Sequence, residues 1–526
     1  MKNDSDSIRH ALIVGGGTAG WLTACHLAKT LRANSADGIK ITLIESEDIP
    51  TIGVGEGTVP AIRDSLRSLG ISETEFIREC DVTFKQSIKF VDWLRAPSEK
   101  KSHSYHHVFD YAQRQHLELT PYWLMNKAQG HSGSYVDAVS IQGVLCDAGL
   151  GPKNMTHPEY EGSASYAYHL DAIKFALLLA RHGTEKLGVT HLKANVSDIL
   201  LDETGDIRAI VSDKHGVIEA DFFVDCSGFS SLLLGKKLGV EFVSKQDVLL
   251  ADTALAMQIP YASDSDPIPS YTLSTAQEAG WIWDIGLTTR RGTGYVYSSK
   301  YTSDERAETV LRDYAARSLG DKAGDLNCRK IPMNVGYREK FWHRNCVAVG
   351  LAQGFVEPLE ATGLLVYDAA ARSLAAQFPM SRGAMPALAE QFNRRLRSVW
   401  DGVIDFIKLH YYLSARDDNE FWLANRSLNS VPESLLKKLE LWKHQAPSDY
   451  DFSSRLDIFN LDNYLYVLYG MDFDTSVDNF SARFPEREKA QRIIQSIQGH
   501  AQKMKTSQLS NRELIARIHR YGLQNI

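Results

Sequence analysis

The apolar run Ala11-Leu12-Ile13-Val14 leads straight into Gly15-Gly16-Gly17-Thr18-Ala19-Gly20, and Trp21-Leu22-Thr23-Ala24-Cys25-His26-Leu27-Ala28 follows without a breaker. This order predicts a strand, a glycine turn and a helix. In a GxGxxG turn the glycines permit the tight bend and the close backbone approach that let a pyrophosphate rest on the helix N-terminus. Gly15, Gly17 and Gly20, with Thr18 and Ala19, are therefore candidate cofactor-binding residues. About 25 residues on, Ile41-Thr42-Leu43-Ile44-Glu45 reads as a second strand ending in a carboxylate suited to a ribose hydroxyl. Both strands and the acid in register make a dinucleotide site the first expectation.

Further pieces of such a body recur along the chain. Phe175-Ala176-Leu177-Leu178-Leu179-Ala180 predicts a helix leading to Val189-Thr190-His191-Leu192. After Asn195-Val196-Ser197, alternation through Ile207, Ile210, Val211 and Val217 predicts inserted antiparallel strands. Ala220-Asp221-Phe222-Phe223-Val224-Asp225-Cys226-Ser227-Gly228 returns as a strand and small-residue turn, and Cys346-Val347-Ala348-Val349-Gly350 as another strand. The order of these pieces resembles that of two-dinucleotide-binding-domain flavoproteins, which implies an α/β class with an FAD-binding, Rossmann-like body. It carries an inserted antiparallel sheet and a helical C-terminal part that caps the substrate. Only one convincing dinucleotide motif is present, because Gly292-Thr293-Gly294-Tyr295 runs into Val296-Tyr297, which reads as a strand.

Composition narrows the function classes. The 526 residues carry a net charge of −7, so no global field favours nucleic acid or an anionic membrane. No apolar run approaches the ~18 residues of a membrane span, and Met1-Lys2-Asn3-Asp4-Ser5-Asp6 is unlike a signal peptide. A cytoplasmic enzyme is expected. The six cysteines are scattered without CxxC spacing, which indicates neither a metal site nor a disulfide framework.

Two segments hold candidate chemistry. Lys85 lies among Phe84, Ile88, Phe90, Val91 and Trp93, and an amine buried in such company must be functional or paired. Alone, Lys85 and Lys89 would read as one solvated helix face. Glu357-Pro358-Leu359-Glu360-Ala361-Thr362-Gly363 offers two acids, with Glu357 reading as a loop carboxylate. The adjacent amides of Thr362 and Gly363 could form an anion nest, reinforced if Leu364-Leu365-Val366-Tyr367 opens a helix.

The glycine turn together with Trp281-Ile282-Trp283-Asp284-Ile285 resembles the flavin-dependent tryptophan halogenases, whose hallmarks are GxGxxG and WxWxIP. Glu45 through Thr58 resembles the family's second flavin-contacting stretch. Phe84-Lys85-Gln86-Ser87-Ile88-Lys89-Phe90 resembles the segment of its catalytic lysine. Asp225–Phe229 and Phe355–Gly363 match as well, in order, from about Ile8 to at least Phe421.

The resemblance implies FAD, supplied as FADH2 by a separate NAD(P)H-dependent flavin reductase, with O2 and a chloride or bromide ion as co-substrates. It implies cofactor contacts from Gly15, Gly17, Thr18, Ala19, Gly20, Glu45, Val54, Val196, Leu351 and Leu364. Halide would sit on Thr362 and Gly363, hypohalous acid would be held by Lys85, and Glu360 would act as general base. No chemistry falls to Lys89. Trp281 and Trp283 would be gates that keep an aromatic substrate from the flavin while halide enters. His107 and Phe109, within Tyr105-His106-His107-Val108-Phe109, would stack on the substrate, with Phe459 in place of an indole-stacking tryptophan.

Three departures stand out. Ala361 replaces the family's common serine, Gly286 replaces the proline after the tryptophans, and Pro447 through Asn460 lacks the tyrosine pair that grips an amino acid. An electron-rich aromatic without an amino-acid end, indole or an indole derivative, becomes the expected substrate. The alternatives are a flavin monooxygenase that hydroxylates an aromatic, against which the tryptophans and Lys85 speak, and a flavin-binding protein without turnover, which Ala361 and Gly286 keep open.

The rest reads as scaffold. Leu388, Phe392, Leu396, Val399, Trp400 and Ile404 have helical spacing, and Pro386 suits the first turn. The helix continues through Leu413, with His410 a packed histidine rather than an acid–base group. Pro485 to Ile526 predicts a closing helical pair that offers a homodimer contact. The expected division is 1–380 for the FAD-binding body and 381–526 for the mainly helical part that completes the pocket.

Overall fold

The computed structural model describes residues 6–49, 55–98, 101–112, 117–131, 133–452 and 458–524. Its centre is a six-stranded sheet in the order Trp342–His343, Cys346–Ala348, Phe222–Asp225, His10–Val14, Lys40–Glu45, Thr190–Lys193. All neighbours are parallel except the hairpin at the Trp342 edge. Ala11, Leu12 and Ile13 are fully buried, as strands covered on both faces must be, which is why the run is continuously apolar. Helices Thr18–Thr30, Ala172–Leu187 and Thr362–Ala376 pack together beside it. Because His10–Val14 has parallel partners on both sides, Val14, Glu45 and Asp225 end at the same edge. The crevice for a ligand opens there. This is the α/β class expected.

The insertion expected after Asn195 is an antiparallel meander of Val196–Leu201, Ile207–Ser212 and Gly216–Glu219. A larger sheet was visible in the sequence only as separate strands. It has seven strands in the order Cys328–Pro332, Thr253–Pro260, Arg290–Tyr297, Gly280–Gly286, Tyr271–Gln277, Ser87–Val91, Ser104–Val108. It brings the tryptophan strand to its centre and His107 to its edge. A small three-stranded sheet, Gly55–Gly57, Ala167–Asp171 and Thr83–Lys85, carries Lys85. Lys85 and Lys89 therefore sit on neighbouring strands, not on one helix face.

From Met385 onward the described elements are helical, beginning with Met385–Tyr412, where Pro386 lies in the first turn. Helices Arg487–Ser507 and Asn511–Tyr521 close the chain, but they pack on this chain's own body. The first lies against helices Tyr135–Val139 and Gln142–Asp147, and the second against Glu73–Glu79 and the Lys85 strand. Asn511 Nδ2 donates to the Phe84 carbonyl at 3.0 Å, which ties the tail to the strand beneath Lys85. No helix among the described residues is long and apolar enough to cross a membrane.

Candidate active site

The glycine turn has the shape of a cofactor cradle. Gly15 has a φ of +116°, and a Cβ there would stand 2.1 Å from the Cys226 carbonyl oxygen. A Cβ on Gly20 would stand 2.0 Å from the Gly15 oxygen, whereas one on Gly17 would meet nothing within 4 Å. The turn is thus closed toward the protein and open toward the crevice, where a pyrophosphate needs room. Thr18 and Ala19 open the helix. Glu45 ends its strand and accepts from His191 Nε2 at 2.7 Å. Val196 and Leu351 are half-buried, Leu364 lies in the first turn of Thr362–Ala376, and Val54 is outside the described residues. The open face at Gly17 and the carboxylate of Glu45 at the same sheet edge fit a dinucleotide bound across the crevice.

Lys85 is fully buried. Its Nζ donates to the Thr58 carbonyl at 3.1 Å and stands 5.2 Å from the centre of the Phe109 ring. Burial, opposed in part by Glu360, brings its pKa down to about 7. A large fraction is then neutral amine at neutral pH, the form that carries a nucleophilic lone pair. Lys89 is different: it pairs with Asp147 at 2.5 Å near the surface.

Glu360 is also buried, between two imidazoles. Its Oε2 accepts from His107 Nδ1 at 2.8 Å, and its Oε1 is 2.8 Å from His410 Nε2. The second approach is out of line for a hydrogen bond, so it is a close electrostatic contact. Burial works to raise the carboxyl's pKa, but His107 and then His410 outweigh it and hold it at about 2. His410 is a packed helical histidine, as read from the sequence, yet it also touches the candidate base. The 50-residue separation hides that contact from any local pattern.

Two residues beyond Glu360, helix Thr362–Ala376 begins with no side-chain cap. Ala361 precedes it in the left-handed region, φ 55° and ψ 33°, an uncommon state for a residue with a Cβ. The first amides of a helix have no partner within it, and the buried Thr362 Oγ1 also has none. The start of this helix thus presents donors without a countercharge, as an anion seat requires.

Trp281 and Trp283 lie on one face of their strand, both buried, with ring centres 6.4 Å apart. Trp283 pairs across the sheet with Gly294, where a Cβ would meet the indole at 2.1 Å. Gly294 is therefore space for the tryptophan, whereas a Cβ on Gly292 would meet the Gly55 backbone at 3.2 Å. Glu357 lies in a loop, as read from the sequence, and is fully buried there. Its Oε2 accepts from both Trp281 Nε1 and the Tyr411 hydroxyl at 2.6 Å. Burial pushes its pKa up to about 7 against those hydrogen bonds and the nearby Lys408. Sequence reasoning missed Glu357 as the group that fixes the Trp281 indole, and no local signal marks it.

On the far side of Glu360, His107 is bonded through both ring nitrogens, to Glu360 and to Asn463. Phe459 stacks on Phe406 with ring centres 3.8 Å apart, and Phe406 meets His107 edge-on at 5.7 Å. These rings form an aromatic wall beside the acid. Phe109 faces Lys85 instead. Tyr450, in the late segment that begins at Pro447, is exposed at the surface, and residues 453–457 are outside the described residues.

Residues 10–486 match the tryptophan halogenase family. Tryptophan 6-halogenase SttH of Streptomyces toxytricini is 38% identical over 83% of this chain and 84% of its own. Tryptophan 7-halogenase RebH of Lentzea aerocolonigenes is 36% identical over 89% and 90%. The crystal structure of a tryptophan halogenase from Shewanella frigidimarina superposes with a TM-score of 0.95 at 42% identity, covering 99% of both chains. Similarity at this level along nearly the whole length, on a fold that places the glycine turn, Lys85, Glu360 and the paired tryptophans as described, means that the chain belongs to the tryptophan halogenase family and is a flavin-dependent halogenase.

Proposed function

We propose that this enzyme halogenates indole or an indole derivative, using FADH2 from a partner flavin reductase, O2, and chloride or bromide. The observation that carries the reading is the buried pair of Lys85 and Glu360: an amine held near neutrality beside an aromatic ring, and a carboxylate held ionised. Reduced flavin, when bound, supplies with O2 the two-electron oxidation that turns halide into hypohalous acid. The Thr362 and Gly363 amides seat the halide, and the Trp281 and Trp283 indoles exclude an aromatic from the crevice. The Lys85 amine holds the hypohalous acid by hydrogen bond, or takes the halogen as N–X and releases water. Either way it presents electrophilic halogen to the ring carbon. The ring proton passes to Glu360, whose negative charge also favours the cationic σ-complex.

The named relatives act on tryptophan. Indole is favoured here because the late segment lacks the tyrosine pair, so burying an ammonium and a carboxylate would carry an uncompensated desolvation cost. The test is kcat/KM for indole, 3-methylindole and L-tryptophan with reductase, FAD, NADH and bromide, read by mass spectrometry. Indole should exceed L-tryptophan. A tenfold preference for L-tryptophan would return the substrate to the amino acid, and product without halogen mass would overturn the reaction itself.

A further inference from the structure

The hydrogen-bond pattern around Glu360 fixes where its protons lie. Asn463 Oδ1 accepts from the Asn460 amide at 2.8 Å, which turns its Nδ2 toward His107. That nitrogen donates to His107 Nε2 at 2.9 Å, so Nε2 is an acceptor and the His107 proton is on Nδ1, where it donates to Glu360. His107 is thereby satisfied through both ring nitrogens.

His410 differs. Its Nδ1 is 2.9 Å from the Phe406 carbonyl oxygen, one turn back in its own helix. A carbonyl only accepts, so Nδ1 carries a proton. The other nitrogen, Nε2, stands 2.8 Å from Glu360 Oε1. Without a second proton, two acceptor atoms would stand 2.8 Å apart in a site closed to water, where such repulsion is strongest. The His410 side chain is 0% exposed and that of Glu360 1%. The ring is packed on Phe90, Trp93 and Phe406, leaving little room to turn away. Among the described residues Lys85 has no carboxylate in ion-pair contact; its partners are the Thr58 carbonyl and the Phe109 ring.

We propose that His410 is a positioning residue, an imidazolium that serves as the counter-ion of Glu360 and so leaves the Lys85 amine without one. The inference rests on the reading of Lys85 as the halogen carrier. Two basic groups compete for one buried negative charge. If Glu360 were free, its charge would stabilise a Lys85 ammonium, which has no lone pair with which to take halogen. With His410 holding the carboxylate, Lys85 stays an amine and Glu360 stays ionised to receive the ring proton. The other titratable groups facing this cluster are Tyr105 and His107 from the Ser104–Val108 strand and His169 beside Lys85. Tyr105 is held neutral by burial and by Glu360. His169 is held neutral by burial. Neither supplies a positive charge.

The test is the titration of Lys85 itself. In enzyme labelled with 13C at lysine Cε, the Lys85 signal is the one absent from Lys85→Ala. Its midpoint is followed in wild type, His410→Asn, His410→Gln and the double variant His410→Asn/Glu360→Gln. Loss of the imidazolium should raise the midpoint by one pH unit or more in both single variants, and removing the Glu360 charge should return it toward wild type. A midpoint that stays in place in both single variants overturns the proposal, as does a rise that persists in the double variant. The acid limb of kcat/KM should move with the NMR midpoint. If the midpoint moves and the limb does not, the charge assignment holds and the reading of Lys85 as halogen carrier is the one that fails.

Discussion

Replacing Lys85 with methionine should stabilise the protein, and by an amount that depends on pH. The amine is wholly buried and its pKa falls from 10.5 to about 7 through burial, with Glu360 opposing. Between about pH 7 and 10.5 the unfolded chain therefore binds one more proton than the folded chain, so wild-type stability climbs as pH rises through that window. Below it the full deficit is present; above it there is none. Each unit is worth about 1.4 kcal/mol. Moving from about pH 6.5 to 9.5 crosses roughly 2.5 units of the window and should stabilise wild type by about 3 kcal/mol relative to Lys85→Met. For a chain of 526 residues, an unfolding entropy of about 2.1 cal/mol/K per residue comes to roughly 1.1 kcal/mol/K, or about 3 °C in Tm for that difference. Scanning fluorimetry of both proteins without cofactor reads it. The lost hydrogen bond to the Thr58 carbonyl adds a constant offset, so the quantity that matters is the change in the gap. Lys85→Met should gain most over wild type at the acid end, and the gap should close by about 3 °C at the alkaline end. Parallel Tm–pH curves would refute the argument that burial, rather than pairing, sets the state of this amine.

Lys85→Ala should keep FAD affinity, read by flavin fluorescence, and lose aromatic halogenation; product above a few per cent of wild type would remove Lys85 from the reaction. Glu360→Gln should slow halogenation by roughly 10²-fold, in the range for loss of a general base, while reduced-flavin consumption continues, and equal loss of both rates would assign Glu360 to the cofactor side. Gly15→Ala should weaken FAD binding more than tenfold, since its Cβ has no space before Cys226, and an unchanged Kd would mean that the turn relaxes. Glu357→Leu should leave the Trp281 and Tyr411 donors unsatisfied at about 1–3 kcal/mol each, whereas Glu357→Gln keeps an acceptor. Equal Tm for the two variants would dismiss Glu357 as the anchor of the gate.

Much of this was legible in the sequence wherever chemistry is written in consecutive residues. The strand, turn and helix around Gly15, the acid at the end of Lys40–Glu45, the antiparallel insertion after Asn195 and the long helix containing Pro386 all follow from local pattern. Lys85 could be singled out by its apolar neighbours, although its strand could not be told from a helix face over so few residues. What escaped is pairing at a distance. Glu357 reaches Trp281 across 76 residues and Tyr411 across 54, and the Glu360–His410 contact spans 50 residues. Gly294 reads as part of a strand in the sequence, and only the cross-strand register with Trp283 explains why it is glycine. The seven-stranded sheet shares that limit, because its strands Ser87–Val91 and Tyr271–Gln277 pair across an intervening domain's worth of chain.

The crowding of chemistry into Glu360-Ala361-Thr362-Gly363 also bears on how this enzyme could be redesigned. Glu360 and Thr362 are two steps apart, so their Cα atoms lie within about 7 Å whatever the chain does, and Ala361 holds the bend between them in a left-handed conformation. The proposed proton acceptor and the proposed anion seat are one mechanical part. A library that varies residues 359–363 to change halide preference will shift the acid at the same time, and its hits will report on two properties at once. Lys85, on a separate sheet, is linked to Glu360 by charge and not by the chain. Halogen delivery is therefore the adjustable coordinate of this active site, and variation around Thr58, Phe109 and Lys85 is where selectivity among ring positions should be sought.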